Sequence, residues 1–210
     1  TSNLKMFASL GSWSTGGDIN TGRYSGGSGT EAPGTAGLIF AGAPGNKDET
    51  ETYDGSTWTE VGDLNTGRGN LAGAGTQTAG LCAGGGVSPG GQSEEFNGTG
   101  WTEGDDLNTA RGGVRGNGTQ TTALATGGKI GESFQVINEL YNGSAWSESG
   151  DLNTARAYHA TAGTSAAGLA AGGASPYTAD SEEFNGTSWT EGSNLNAAKA
   201  YIGGGFGTQT

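Results

Sequence analysis

Arg23, Arg68, Arg111, Arg156 and Lys199 each stand ten residues after a tryptophan, at Trp13, Trp58, Trp101, Trp146 and Trp189. Glu51, Glu94, Glu139 and Glu182 each stand two residues before an aromatic, Tyr53, Phe96, Tyr141 or Phe184. Acid–base catalysis needs two groups whose environments push their proton affinities apart, whereas groups repeated in equivalent slots share one environment. The favoured expectation is therefore structural: the Glu and Arg sets form hydrogen bonds or ion pairs that tie strands or neighbouring sheets together. Two other chemistries stay open. A ring of cations could capture an anionic ligand, and Ca²⁺ could sit at Asp105, Asp106 or the Asp63 and Asp151 slot, although no EF-hand or nonapeptide pattern is present.

The single-copy groups offer less. A zinc site needs three or four nitrogen or sulfur ligands, and His159 and Cys82 are the only histidine and cysteine. His159 is expected to line a channel or its mouth and is kept as a candidate ligand contact. Cys82, within the small-residue run AGLCAGG, reads as an inert buried thiol. Gly128-Lys129 is followed by Ile130, and Ala123 stands where a phosphate loop has its leading glycine, so no such loop is written here. Asn97, Asn117, Asn142 and Asn185 head glycosylation sequons, yet Asn-Gly also serves turn geometry. Neither a catalytic set nor a metal nor a cofactor is expected.

Composition alone reads as disorder: 45 Gly, only 27 Leu, Ile, Val and Phe together, and a net charge of −12. Order in the sequence overturns that. The five tryptophans fall 45, 43, 45 and 43 residues apart, the signature of a repeat architecture. A pI near 4.3 argues against nucleic acid, which is bound through clustered cations. With no apolar run near the ~18 residues needed to span a bilayer, membrane insertion is not expected either. Thr1 in place of Met points to a processed product or a piece of something longer.

Each repeat resolves into four short strands, A to D. After each cation comes a Gly-rich strand A ending in Gly-Thr, as at Gly75-Thr76, Gly118-Thr119 and Gly163-Thr164. An apolar strand B follows, carrying Leu38, Leu81, Leu124 or Leu169, and three of these end in paired glycines. A variable loop leads to Glu-x-aromatic on strand C. Asp54-Gly55, Asn97-Gly98, Asn142-Gly143 or Asn185-Gly186 then predicts a two-residue type I′ turn into strand D, which opens with Trp. The polar stretch from Trp to cation, with Asn20, Asn65, Asn108, Asn153 and Asn196, reads as a D-to-A connection held by side-chain hydrogen bonds.

Four antiparallel strands in 43 to 45 residues have the size of one propeller blade. Residues 1–210 are thus expected to form a single all-β domain, a five-bladed β-propeller of four-stranded blades. Its closing blade would be shared by the N- and C-termini, around Trp13 and Gly207-Thr208, with either three strands or a fourth lent by a partner. Glycine pairs after strand B, Glu-x-Tyr/Phe-Asp/Asn and a Trp opening strand D resemble the kelch repeat family, in all five registers. The W-T-E-x-x-D-L-N-T-A-R wording, seen with small changes at Trp58, Trp101 and Trp146, also resembles kelch-like repeats of phage and marine viral structural proteins. That resemblance implies an extracellular or virion-surface location and a non-catalytic recognition or adhesion module, such as a tail-fibre domain binding cell-surface carbohydrate. The alternative is a structural component that assembles with other virion or fibre subunits, as an oligomer. Ligand contact is expected on the B-to-C loops, spanning 43–50, 86–92, 129–136 and 174–180, where Phe134, Tyr177, Lys47 and Lys129 join His159 as candidates.

Overall fold

A computed structural model describes residues 17–30, 35–86, 90–174 and 177–202. The first sheet is β1 (Gly27–Ser28), β2 (Gly37–Gly42), β3 (Lys47–Tyr53) and β4 (Trp58–Val61). The second is β5 (Ala72–Thr76), β6 (Ala79–Ala83), β7 (Ser93–Phe96) and β8 (Trp101–Glu103). In the third, β9 (Arg115–Gly118) and β10 (Ala123–Thr126) join β13 (Asn138–Tyr141) and β14 (Trp146–Glu148), with β11 (Lys129–Ile130) and β12 (Ser133–Phe134) forming a separate ribbon between them. The fourth is β15 (Ala160–Thr164), β16 (Ala167–Ala171), β17 (Ser181–Phe184) and β18 (Trp189–Glu191). Strands in each sheet pair antiparallel in chain order, and no helix occurs among the described residues.

Four repeats thus give four sheets, each of the A-to-D kind. Of the closing repeat the described residues reach Tyr201 and Ile202, whereas Trp13 and Gly207-Thr208 lie outside them. Strands A of successive sheets, β1, β5, β9 and β15, lie side by side, so the sheets radiate from a common inner wall.

Within each sheet the strand-C aromatic faces its tryptophan across the ladder: Tyr53 with Trp58, Phe96 with Trp101, Tyr141 with Trp146 and Phe184 with Trp189. Ring centroids lie 4.9 to 5.1 Å apart, the separation at which tilted aromatic pairs attract. The apolar cores lie between sheets rather than within them. Trp101 of the second sheet packs edge-on against Phe40 of the first at 4.7 Å, beside Leu38 and Leu71. Trp146 packs with Ala72, Ala74 and Leu81 of the second sheet, and Trp189 with Leu124 of the third. Small residues set the spacing. A Cβ at Gly80 would fall 2.6 Å from the Leu38 side chain, and one at Gly168 2.8 Å from that of Leu124.

Two local expectations are corrected. The C-to-D turns are four-residue loops, not two-residue type I′ turns: Tyr53 pairs with Trp58, and φ is positive at Gly55 but not at Asp54. The Asp54 carboxylate accepts N–H bonds from Ser56 and Thr57, and Asn97, Asn142 and Asn185 do the same in their loops. A side chain that supplies its own acceptor closes an Asx turn without needing a left-handed residue at its own position. The first B-to-C loop is also shorter than expected, because 47–50, with Lys47, belongs to β3. The paired glycines do more than end strand B. Gly84 and Gly85, at φ +68° and +131°, turn the chain outward so that the Gly85 N–H reaches Arg111 O.

The inter-sheet placement of the indoles makes a graded prediction. Trp101→Ala should cost about 3–5 kcal/mol in urea unfolding. Trp146→Phe should cost less than Trp101→Phe, because the Trp101 N–H donates to Thr50 Oγ1 at 2.9 Å whereas the buried Trp146 Nε1 has no partner among the described residues. Equal losses for the two Phe variants would refute this assignment.

Candidate functional site

Each D-to-A connection crosses onto its sheet and is held there by the strand-C glutamate. In the first sheet Glu51 Oε2 accepts the Asn20 backbone N–H at 2.6 Å and its side-chain amide at 3.0 Å, while Oε1 accepts from Thr21 and from the Arg23 guanidinium at 2.5 Å. Asn20 Nδ2 also donates to Trp58 O. Asn65 and Glu94, Asn108 and Glu139, and Asn153 and Glu182 repeat the arrangement. Arg111 pairs with Glu139, and Arg156 with Glu182 at 2.6 Å. Arg68 Nη1 lies 2.9 Å from Glu94 as a charge contact, while its N–H groups donate to Thr66 O and Cys82 Sγ.

These pairs are buried, the eight side chains showing 1% exposure or less. A ring of cations free to take an anion at the channel mouth is therefore not what these arginines form. Burial raises the Glu51 pKa, but the Asn20 and Thr21 N–H groups and Arg23 outweigh it and hold it below the usual carboxylate value. Asp63 and Asp151 accept backbone N–H groups from Thr50 and Asn138, and no cluster of three metal-ligating side chains occurs among the described residues.

A second repeated device, missed in the sequence, lies two residues past each cation. Ser25, Asn70, Tyr158 and Tyr201 have φ of +55° to +58°, and Gly113 has +66°. Successive members are linked: the Asn70 N–H donates to Ser25 O, Gly113 to Asn70 O and Tyr158 to Gly113 O. The left-handed turn is what aims each N–H at the preceding sheet. The register was visible as the second position after every cation, but the four non-glycine residues there disguise a shared backbone conformation.

These links rim a mouth of about 430 Å³, lined by Asn70, Tyr158, Lys129, Ile130, by Ala110 and the clamped Arg111, and by glycine backbone from 85–86, 90, 112–113 and 131. The face carries the D-to-A connections and B-to-C loops together. Of the expected contacts only Lys129 lines it. Phe134 sits half-buried in β12, 6.0 Å from Lys129 Nζ, and Lys129 also pairs with Glu132 at 3.0 Å. Lys47 pairs with Glu49, and Tyr177 stands 65% exposed outside the mouth. His159 is corrected outright: it is fully buried, behind Gly127 and Gly173, where burial and then Arg115 and Arg156 drive its pKa well below the usual imidazole value and keep it neutral. Burial likewise pushes the Cys82 thiol up to about 11, and Asn117 is buried in β9, unsuited to glycosylation.

No family model matches the chain, and no curated protein matches it. A solved structure described as "Structure of YjhT" superposes with a TM-score of 0.69 over 87% of this chain and 69% of that one, at 14% identity. A likeness at that identity speaks for the fold, which is all-β and β-propeller-like.

Removing one member of a buried pair leaves the other charge uncompensated. Glu139→Gln should therefore cost about 3–5 kcal/mol in urea unfolding, and Arg111→Met with Glu139→Gln should cost clearly less than the two single losses added. A loss under about 1 kcal/mol for Glu139→Gln would show that the clamp is not structural. Glu51 adds a pH dependence. Its folded pKa lies below the unfolded value of about 4.5, so its stabilisation is complete above that pH and lost as pH falls through the folded pKa. The urea midpoint should drop below about pH 4.5 and drop less steeply in Glu51→Gln.

Proposed function

We propose that the chain is a five-bladed, kelch-like propeller acting as a non-catalytic recognition module, part of a phage or virion tail fibre, that binds cell-surface carbohydrate on the face carrying the B-to-C loops. The observation that carries the binding reading is the mouth itself. It is open, broad enough for a sugar ring, and lined by backbone amides and carbonyls of glycines, the Asn70 amide and the flat ring of Tyr158. Sugars present an apolar C–H face to stack on aromatics and a rim of hydroxyls to exchange hydrogen bonds, so a mixed site of this kind suits them. The strand-C glutamates, the carboxylates most deeply placed, are committed to clamps, which speaks against an acid–base pair.

Closure into five blades is supported from both ends. Ser25 to Ser28 of the first sheet and Tyr201 with Ile202 of the fifth copy line one and the same axial opening. The Ile202 N–H donates to Tyr158 O at 3.3 Å, which carries the chain of inter-sheet links into that copy.

Assembly with other subunits is the second reading, favoured by the exposure of Tyr24, Ile130, Tyr177 and Tyr201, at 64%, 43%, 65% and 65%. All four lie on the mouth face, where apolar groups mark docking surfaces when contiguous. An extracellular or virion-surface setting accompanies either reading.

A glycan array probed with wild type, Phe134→Ala plus Tyr177→Ala, and Ile130→Ser tests the proposal. Binding to a defined glycan set should weaken at least about tenfold in Ile130→Ser, at the mouth, and less in the double variant, which lies beside it. Absence of any glycan signal, with sedimentation showing concentration-dependent multimers that Ile130→Ser or Tyr177→Ala dissolves, would replace recognition by assembly.

A further inference from the structure

Beneath the mouth, strands A enclose an axial opening of about 180 Å³, lined by Ser25 to Ser28, Thr30, Leu71, Gly73, Arg115, Gly116, Thr161, Tyr201 and Ile202. Apart from Leu71, Tyr201 and Ile202 its wall is made of small residues, and its one charged side chain among the described residues is Arg115. Counting from the repeated cations, Arg115 stands in the register held by Ala72 in the second sheet and Ala160 in the fourth. The repeat does not need an arginine there, and four other arginines are already spent on clamps.

Arg115 pairs with no carboxylate among the described residues. Among the described residues its guanidinium makes one hydrogen bond, to Val114 O at 3.1 Å, out of five N–H groups available. Its other neighbour is the Tyr158 ring, 5.9 Å away in cation–π contact, and Tyr158 in turn stacks on Tyr201 at 4.7 Å. Burial lowers the pKa of this guanidinium, the mark of a cation desolvated without a counter-charge. His159, its titratable neighbour, is neutral. Outside the described residues the sequence holds one acidic side chain, Glu31. It follows Thr30, whose hydroxyl bonds Gly118 O, three residues and roughly 10 Å along strand A from Arg115. In a chain of net charge −12, a cation with no counter-charge among the described residues, facing an axial opening, draws an anion inward.

We infer that the axial opening binds a small carboxylate, held by the Arg115 guanidinium and admitted past the Tyr158–Tyr201 stack. Arginine suits this role because its planar fork matches a carboxylate with two parallel N–H bonds. Thr161 and Thr30 already donate their hydroxyls to Gly116 O and Gly118 O, so the guanidinium is the principal donor and one negative charge the natural load. The carboxylate could belong to a free organic acid or to an acidic sugar reaching down from the mouth. The inference does not require that the mouth bind glycan, since a free acid alone suffices.

The test is a titration of the intact chain at low salt, following the Arg115 Nε–H cross-peak by NMR with acetate, glucuronate and glucose as probes. Acetate and glucuronate should shift the peak saturably and glucose should not. Equal affinity for the two acids identifies a free carboxylate as sufficient, and glucuronate binding at tenfold lower concentration identifies an acidic sugar; either supports the inference. Arg115→Ala restores the residue found at this register in two other sheets and is expected to fold, with calorimetric binding of both acids weakened at least tenfold. Arg115→Lys keeps the charge without the fork and should retain part of the affinity. Unaltered calorimetric binding in Arg115→Ala, or no shift with either acid in wild type, overturns the inference. So does a gain of tenfold or more in Glu31→Gln, which would make Glu31 the internal partner.

Discussion

The joint between one sheet and the next rests on a single carboxylate. Each strand-C glutamate gathers the N–H groups at the start of the incoming connection and the arginine that follows, in a site closed to water. A carboxylate removed from water must replace its hydration. At Glu51, Glu139 and Glu182 backbone donors, an asparagine amide and a guanidinium do so together, while Glu94 has the asparagine donors and a charge contact with Arg68. A buried pair of this kind adds little net stability over a well-packed apolar substitute. Its value is geometric, because the donors are satisfied only when the connection lies in one place.

That placement is what allows the indoles to work. The sheets have three- to seven-residue strands, apart from the two-residue β1, too thin to bury a face alone. Held at the clamp's distance, Trp101, Trp146 and Trp189 each reach the preceding sheet and cover an aromatic or leucine there, so 27 large aliphatic and Phe residues are enough. Glycine at the facing positions is the complement of the large ring, since a methyl group there would intrude on the neighbour's leucine. Low aliphatic content and order are thus compatible when large side chains pack against the smallest ones across a repeated interface.

The mouth follows from the same regularity. Left-handed residues two places after each cation aim backbone N–H groups at the preceding sheet and leave a rim of amides and small side chains. Onto that rim the chain places two groups without a counterpart in the other described sheets, Lys129 and Ile130, beside the Tyr158 ring, with Arg115 below in the axial opening. Departures from the repeat, rather than the repeated glutamates and arginines, are where this molecule differs from a purely structural ring.

Sheet count among the described residues, strand order, the aromatic–tryptophan pairing and the Glu–Arg partnership were legible in the sequence, because fixed spacing reports which side chains share a face and a level. Other features were not. The Asp54-Gly55 pair is compatible with two turns, and only the Tyr53–Trp58 register decides for the longer one. Phe134 looked like a free loop aromatic until β11 and β12 paired locally. His159 looked available until the glycines of two connections closed over it. Sequence by itself determined the period, the composition of each strand and the pairing of charges, which are local and repeated properties. Tertiary structure alone decided burial and aim, which side chains face the axis and which lose water, because these depend on the distance between neighbouring sheets and no single repeat contains that distance.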